Sequence, residues 1–173
     1  MTQTDAPPEF SLEVDLRSLA PAGKQYHLKA SPDECKKIAN RLGVIDVHLC
    51  EGDIHIGATK TIITVSGTVR GAMTRECVAS LEEMEEAVAD SFELEFFRDE
   101  SAIDADDDSI ERDLAEIHED DVFDIGELLV QQLSLAMNPF PRKEGAPSLA
   151  AEYGAEDGGS PFAGLHQILE KNN

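Results

Sequence analysis

The sequence predicts an α+β fold: a single domain in which an antiparallel sheet or open barrel is covered by two main helices, with a short helix in the C-terminal tail. Three observations predict it. Segments 32–42 and 125–137 carry apolar residues at helical spacing behind capping residues. Residues 44–76 are rich in β-branched side chains, and 92–96 alternate strictly between apolar and acidic. A chain of 173 residues that is 41% hydrophobic can bury one good core, and both apolar helix faces need a common one.

Residues 1–9, with Pro7 and Pro8, read as a flexible N-terminus. Phe10, Leu12, Val14 and Leu16 then alternate with polar residues, so a half-buried strand is expected over about 10–19, broken by Pro21 and Gly23. Ser31, Pro32 and Glu34 open the first helix as N-cap, first helical residue and capping-box partner. Cys35, Ile38, Ala39 and Leu42 form its apolar face, and Gly43 stops it. Two strands are expected at 44–57, flanking a turn or bulge at Glu51, Gly52 and Asp53. Ala58, Thr59 and Lys60 reverse the chain into a strand over 60–77, where Gly67 marks a bulge or a close backbone approach. A strand over 85–97 follows. Its first half also fits a helix, through Leu81, Met84 and Val88.

Residues 99–124 hold thirteen acids against one base, Arg112, so an acidic loop is expected over 99–123. Asp124 caps the second helix, whose apolar face runs through Ile125, Leu128, Leu129, Leu133, Ala136 and Met137. Pro139 and Pro141 end it, because proline restricts the residue before it and donates no ladder hydrogen bond. The domain is thus expected over 10–143, and 144–173 reads as a linker and tail helix with Phe162, Leu165 and Leu169 on one side.

The composition limits the possible functions. Fourteen basic residues against thirty-six acidic ones give a formal charge of -22, a field that repels phosphate backbones and attracts basic partners. Cys35, Cys50 and Cys77 form no CxxC pair and read as reduced thiols. The first ten residues have neither a basic nor an apolar signal region, and no apolar run approaches the ~18 residues of a membrane span, so a cytoplasmic protein with no membrane contact is expected. The five histidines are scattered, and no nucleophile elbow, HExxH, phosphate loop or dinucleotide fingerprint occurs. The carboxylates of Asp104, Asp106, Asp107 and Asp108 suit a hard cation. They lack the turn glycine and closing glutamate of a calcium loop, so no metal site is expected there.

Three stretches carry a family resemblance. TRECVASLE (74–82) stands where a Cys-x-x-Cys followed by Leu-Glu is expected. DIGEL (124–128) with LAMNP (135–139) forms a capped helix and proline stop. SPFAGL (160–165) forms a tail motif. In this order they resemble the YceD family, bacterial and plastid proteins linked to accumulation of large-subunit ribosomal RNA, and its alphaproteobacterial branch most. The resemblance covers most of 30–170 and rests on Cys77, Asp124, Gly126, Glu127, Pro139, Pro141 and Pro161. Ser80 replaces the second cysteine, so at most one thiolate is in place and no zinc or other cofactor is expected.

The resemblance implies a role in ribosome biogenesis, and the charge implies a basic ribosomal or ribosome-assembly protein as direct partner, with any RNA contact indirect. The expected contacts are Asp104, Asp106, Asp107 and Asp108 for steering, Arg142 and Lys143 beside the proline stop, and Phe140 and Phe162 as apolar anchors. Phe140 either stands out as an anchor or packs on its own domain. The alternative is a direct RNA-binding module using Lys36, Lys37 and Arg41 with Arg70 and Arg75, if the fold gathers them on one face. Neither reading involves an enzyme or a small-molecule substrate. A deep pocket holding His48, His55 and an acid would revive an enzymatic one.

Overall fold

The computed structural model describes residues 8–98 and 116–146. Among these residues, six strands and two helices follow in the order β1 (Glu13–Asp15), β2 (Lys24–Lys29), α1 (Pro32–Leu42), β3 (Asp46–Ala58), β4 (Ile62–Glu76), β5 (Glu83–Phe97), β6 (Val122–Asp124) and α2 (Ile125–Ala136), with a 3-10 turn at Leu16–Ser18. Strands β2-β3-β4-β5 form an open antiparallel sheet, and β1 pairs with β6 in a second, two-stranded one. This is the α+β arrangement expected from the sequence, and the sheet does not close.

Both helices lie on one face of the four-stranded sheet. That face supplies Cys50, Ile54 and Ile56 from β3 and Ile63, Val65, Val69 and Met73 from β4. Helix α1 adds Ile38, and α2 adds Ile125, Leu129 and Leu133, all without solvent exposure. The N-terminus of α1 has the complete capping box, with Ser31 accepting from the Glu34 N–H and Glu34 reaching back to the Ser31 N–H. Gly43 closes the helix in the left-handed conformation. The other face of the sheet is polar. It carries His27, Lys29, Glu51, Asp53 and Arg70, with Lys29 and Arg70 both paired to Glu51 at 3.2 and 2.9 Å.

The structure departs from the sequence reading at several places. The expected turn or bulge at Glu51, Gly52 and Asp53 is absent: β3 runs straight through, paired with β4 at every one of these residues. Gly52 belongs in the strand because α2 sits where its side chain would be, with Leu129 Cδ1 only 2.6 Å from an ideal Cβ. The bulge lies between Val47 and Leu49. At Gly67 the close backbone approach expected from the sequence is found, an ideal Cβ lying 2.4 Å from the Asp53 carbonyl oxygen, with the register unbroken. Residues 83–97 are strand throughout, which settles the ambiguous stretch before Phe92. Strand β2 has no counterpart in the sequence reading. It is an edge strand whose sole fully buried residue is Leu28, so it shows almost no apolar alternation.

The strand expected over 10–19 is short and joins β6 instead of the main sheet. The acidic loop of 99–123 also ends earlier than expected. Ile117 bridges Phe97 in parallel, and β6 carries Phe123 into the core against Phe96, ring centroids 5.0 Å apart. The expected steering residues Asp104, Asp106, Asp107 and Asp108, and Pro161, Phe162 and the tail helix, lie outside the described residues.

Candidate interaction site: a pinned turn beside Cys77

Helix α2 ends at Ala136, and the chain turns through Asn138, Pro139, Phe140 and Pro141 onto the end of the sheet. Prolines cannot extend the helix, but they do not fix where the turn lies. Side chains from β4 and β5 do that. The Asn138 N–H donates to Glu86 Oε1 at 3.0 Å, and the Arg75 guanidinium donates to the Asn138 carbonyl at 2.8 Å. Arg75 and Glu86 also pair with each other at 2.5 Å, with side chains only 14% and 11% exposed, the most buried ion pair among the described residues. Within the turn, the Phe140 N–H donates to Asn138 Oδ1 at 2.9 Å. Beyond it, the Val78 N–H donates to the Pro141 carbonyl at 3.0 Å, and the Lys143 ammonium reaches Glu82 at 2.9 Å.

Cys77 sits under this turn, fully buried. Its sulfur accepts from the N–H groups of Ser80 and Lys143 at 3.5 and 3.3 Å. The thiol is pulled down to about 6, by the Ser80 hydroxyl first and then by the N–H groups of Lys143, Ser80 and Ala79, with burial opposing. The hydroxyl contact is a poor one: Ser80 Oγ is buried without a hydrogen bond of good geometry, so the N–H donors are the firmer part of the set. Among the described residues, no three His, Cys, Asp or Glu side chains gather as a metal set. What surrounds the sulfur is a ring of donors, suited to a thiolate.

A thiolate held this way makes stability depend on pH. The folded state keeps the sulfur ionised down to about 6, while an unfolded cysteine protonates near ~8.5. Between these values the unfolded chain binds more protons, so stability rises with pH across that window and the contribution is lost as pH falls through 6. The melting-temperature gap between the native chain and Cys77→Ala should therefore widen from pH 5.5 to pH 9. An equal gap at both ends would rule out a thiolate.

The turn leaves apolar groups exposed beside polar ones. Phe140, held between its two prolines, is 72% exposed, so of the two sequence-based alternatives the structure shows the protruding one. Ile45, Val78, Pro139 and Pro141 line a shallow concavity at the same end, and Ile45 and Val78 are each about half exposed. Leu81 is also exposed and sits at φ 58, a backbone conformation costly for a leucine.

The DIGEL residues turn out to be a brace. Asp124 Oδ1 caps α2 by accepting from the Gly126 and Glu127 N–H groups, and the same carboxylate accepts from the Leu12 N–H and the Ser11 hydroxyl. A Cβ on Gly126 would lie 2.7 Å from Leu12 N, so glycine is what lets the N-terminal segment pass. Glu127 receives both ends of the Arg41 guanidinium at 2.6 Å, locking α1 to α2, and Arg41 holds Glu9 as well. Removing the Asp124 carboxylate leaves four donors without it, so Asp124→Ala should cost about 2 kcal/mol, at the upper end for a helix cap. A urea midpoint indistinguishable from the native one would refute this brace.

The basic residues considered for RNA do not share a surface. Lys36 pairs with Asp33 on α1, over the core face. Arg70 stands on the opposite, polar face with Glu51, and Arg75 is largely covered and paired with Glu86. The two histidines also stay apart. His48 bonds Thr74 Oγ1 at 2.7 Å, and His55 bonds the Ala22 carbonyl at 3.1 Å, seven residues further along β3 and so roughly 23 Å away. Among the described residues, no helix is long and apolar enough to cross a membrane.

Residues 65–169 match the family described as large ribosomal RNA subunit accumulation protein YceD. The match spans more than half of the chain and takes in most of β4, then β5, the Cys77 turn, α2 and the proline stop. The chain belongs to the YceD family. No curated protein and no solved structure matches it. Within the YceD-family segment, Asp124, Gly126 and Glu127 serve the fold, while Cys77, Pro139 and Pro141 build the turn that presents Phe140. Sequence reasoning offered Arg75 only as an RNA contact, and it missed Glu86 and the part Asn138 plays in pinning that turn. A glutamate on a strand beside five other acids gives no sign that it is buried.

Proposed function

We propose that this YceD-family protein is a non-enzymatic ribosome-biogenesis factor. It supports accumulation of large-subunit ribosomal RNA by holding a basic ribosomal or ribosome-assembly protein, with RNA reached through that protein. The family description supports the process, and the acidic charge supports the partner's chemistry. The observation that carries the mode of action is Phe140: an exposed aromatic on a turn pinned by Arg75, Glu86 and Val78, beside the Ile45 and Val78 concavity. A rigid aromatic contributes contact area without an ordering cost on binding, which is what a binding anchor requires. Direct RNA binding has less support, since Arg41, Arg70 and Arg75 are each neutralised by a carboxylate.

The test uses tagged native protein and Phe140→Ser, captured from lysate with and without nuclease. Large-subunit ribosomal proteins should accompany the native chain and survive nuclease. Phe140→Ser should lose about 2 kcal/mol of binding, roughly thirtyfold in Kd, with its melting temperature unchanged. In cells lacking the native gene, it should also fail to restore large-subunit ribosomal RNA. Capture that depends on nuclease-sensitive RNA and ignores Phe140 would overturn the proposal.

A further inference from the structure

Strand β5 is one edge of the main sheet and is fifteen residues long. Its hydrogen-bonding parity follows from its end. The Phe97 N–H donates to the Glu116 carbonyl at 2.9 Å and the Phe97 carbonyl accepts from the His118 N–H at 2.8 Å, while the Arg98 N–H turns inward to Thr61. The β4–β5 register is unbroken, so odd-numbered residues point their backbone groups outward all along the strand. Among the described residues, no backbone group pairs with those of 83–95 on the outer side. The Ser91 N–H is covered locally by its neighbour Asp90.

The side chains of the same odd-numbered residues are all exposed, on the polar face of the sheet. Glu83 and Glu85 stand at one end, Glu93 and Glu95 at the other, and Ala87, Ala89 and Ser91 leave the centre low. The strand carries six acids and no base.

We infer that the outer edge of β5 over residues 83–95 accepts an extended, basic segment of a partner protein as an added antiparallel or parallel strand. Main-chain bonds would give the affinity, and lysines or arginines at alternate positions would meet the glutamates at the two ends. The protein's own residues 116–118 already use this edge at Phe97, so it is competent to pair. A second copy of this chain is a poor occupant, because its acidic edge would place like charges opposite each other. For its biological meaning the inference rests on the protein-contact reading above, yet it concerns a different surface from Phe140.

The test titrates the full chain with a ten-residue peptide alternating lysine and valine. The controls are a peptide of the same composition with all lysines first, and the alternating peptide with glutamate in place of lysine. Amide hydrogen exchange should slow at least tenfold at odd-numbered residues of 83–95 with the alternating peptide, and stay unchanged at the even-numbered ones, which the β4 ladder already protects. Ala89→Pro deletes one outward N–H without touching that ladder, as an edge strand tolerates. It should weaken the peptide at least fivefold while the Phe140-dependent capture persists. Equal binding of the blocked-lysine peptide without odd-residue protection would mean charge attraction alone and overturn the inference. Strong protection of the odd-numbered amides in the free chain would mean that the edge is already covered, by the chain itself or by a second copy, and would also overturn it. Sedimentation would distinguish those two. Failure of the Phe140 capture with this protection intact would remove the proposed function and leave the edge site standing.

Discussion

Gly52→Ala is expected to destabilise the domain by about 3 kcal/mol, the upper range for overpacking a close-packed core. An ideal Cβ at Gly52 lies 2.3 Å from the Thr68 carbonyl oxygen and 2.6 Å from Leu129 Cδ1. The first obstacle is backbone in the paired strand β4, which cannot rotate away. The second is a side chain at the centre of α2. Relief therefore requires the helix to lift off the sheet or the strand pair to separate. At roughly 2–4 °C per kcal/mol for a chain of this size, the melting temperature should fall by roughly 6–12 °C. Gly71→Ala provides the comparison. Its Cβ would meet Leu133 Cδ1 at 2.3 Å, but that is the mobile end of a side chain, so the cost should stay near 1 kcal/mol. Equal melting temperatures for the two variants would mean that the backbone around Gly52 yields as readily as the Leu133 side chain does at Gly71, and would refute the larger cost.

Glu86→Leu should also cost about 3 kcal/mol, and it should disable the turn. The carboxylate is 11% exposed and has two dependents: the Arg75 guanidinium, 14% exposed, and the Asn138 N–H. Deleting it strands a buried cation and a donor together, which is costlier than the pair is stabilising. Introducing Arg75→Met into the same chain removes the stranded charge, so the double variant should recover most of the loss. Function should not recover with it, because Asn138 keeps neither pin and Phe140 loses its fixed position. The expected pattern is a lowered urea midpoint for the single variant, a near-native midpoint for the double, and weak partner capture for both. A double variant as stable as the native chain that captures the partner normally would show that presentation of Phe140 does not depend on the brace.

Much of the fold was legible because it follows from local chemistry. The Ser31 capping box, the Gly43 stop and the Asp124 cap act within four residues, so the helix ends came out almost to the residue. Strand β5 was legible at its alternating end, where Phe92, Leu94 and Phe96 face the core side. Gly52 misled because glycine in a β region usually marks a turn, and only the helix above it explains its place in the strand. Strand β2 was invisible because an edge strand with one fully buried residue carries no periodic signal. The resemblance singled out Asp124, Gly126 and Glu127, but it could not say that they brace the fold.

By itself the sequence determined the α+β class, the helix limits, the family and a strongly acidic character. Each of these follows from composition or from residues near one another in the chain. The tertiary structure decided which named residues brace the fold and which present a surface. Asp124 meets Leu12 across 112 residues, Arg41 meets Glu127 across 86, and Lys143 meets Cys77 across 66. Such contacts depend on how two helices settle on one sheet, and no local pattern encodes them. The same settling buries Glu86 and leaves Phe140 and the acidic edge of β5 facing solvent.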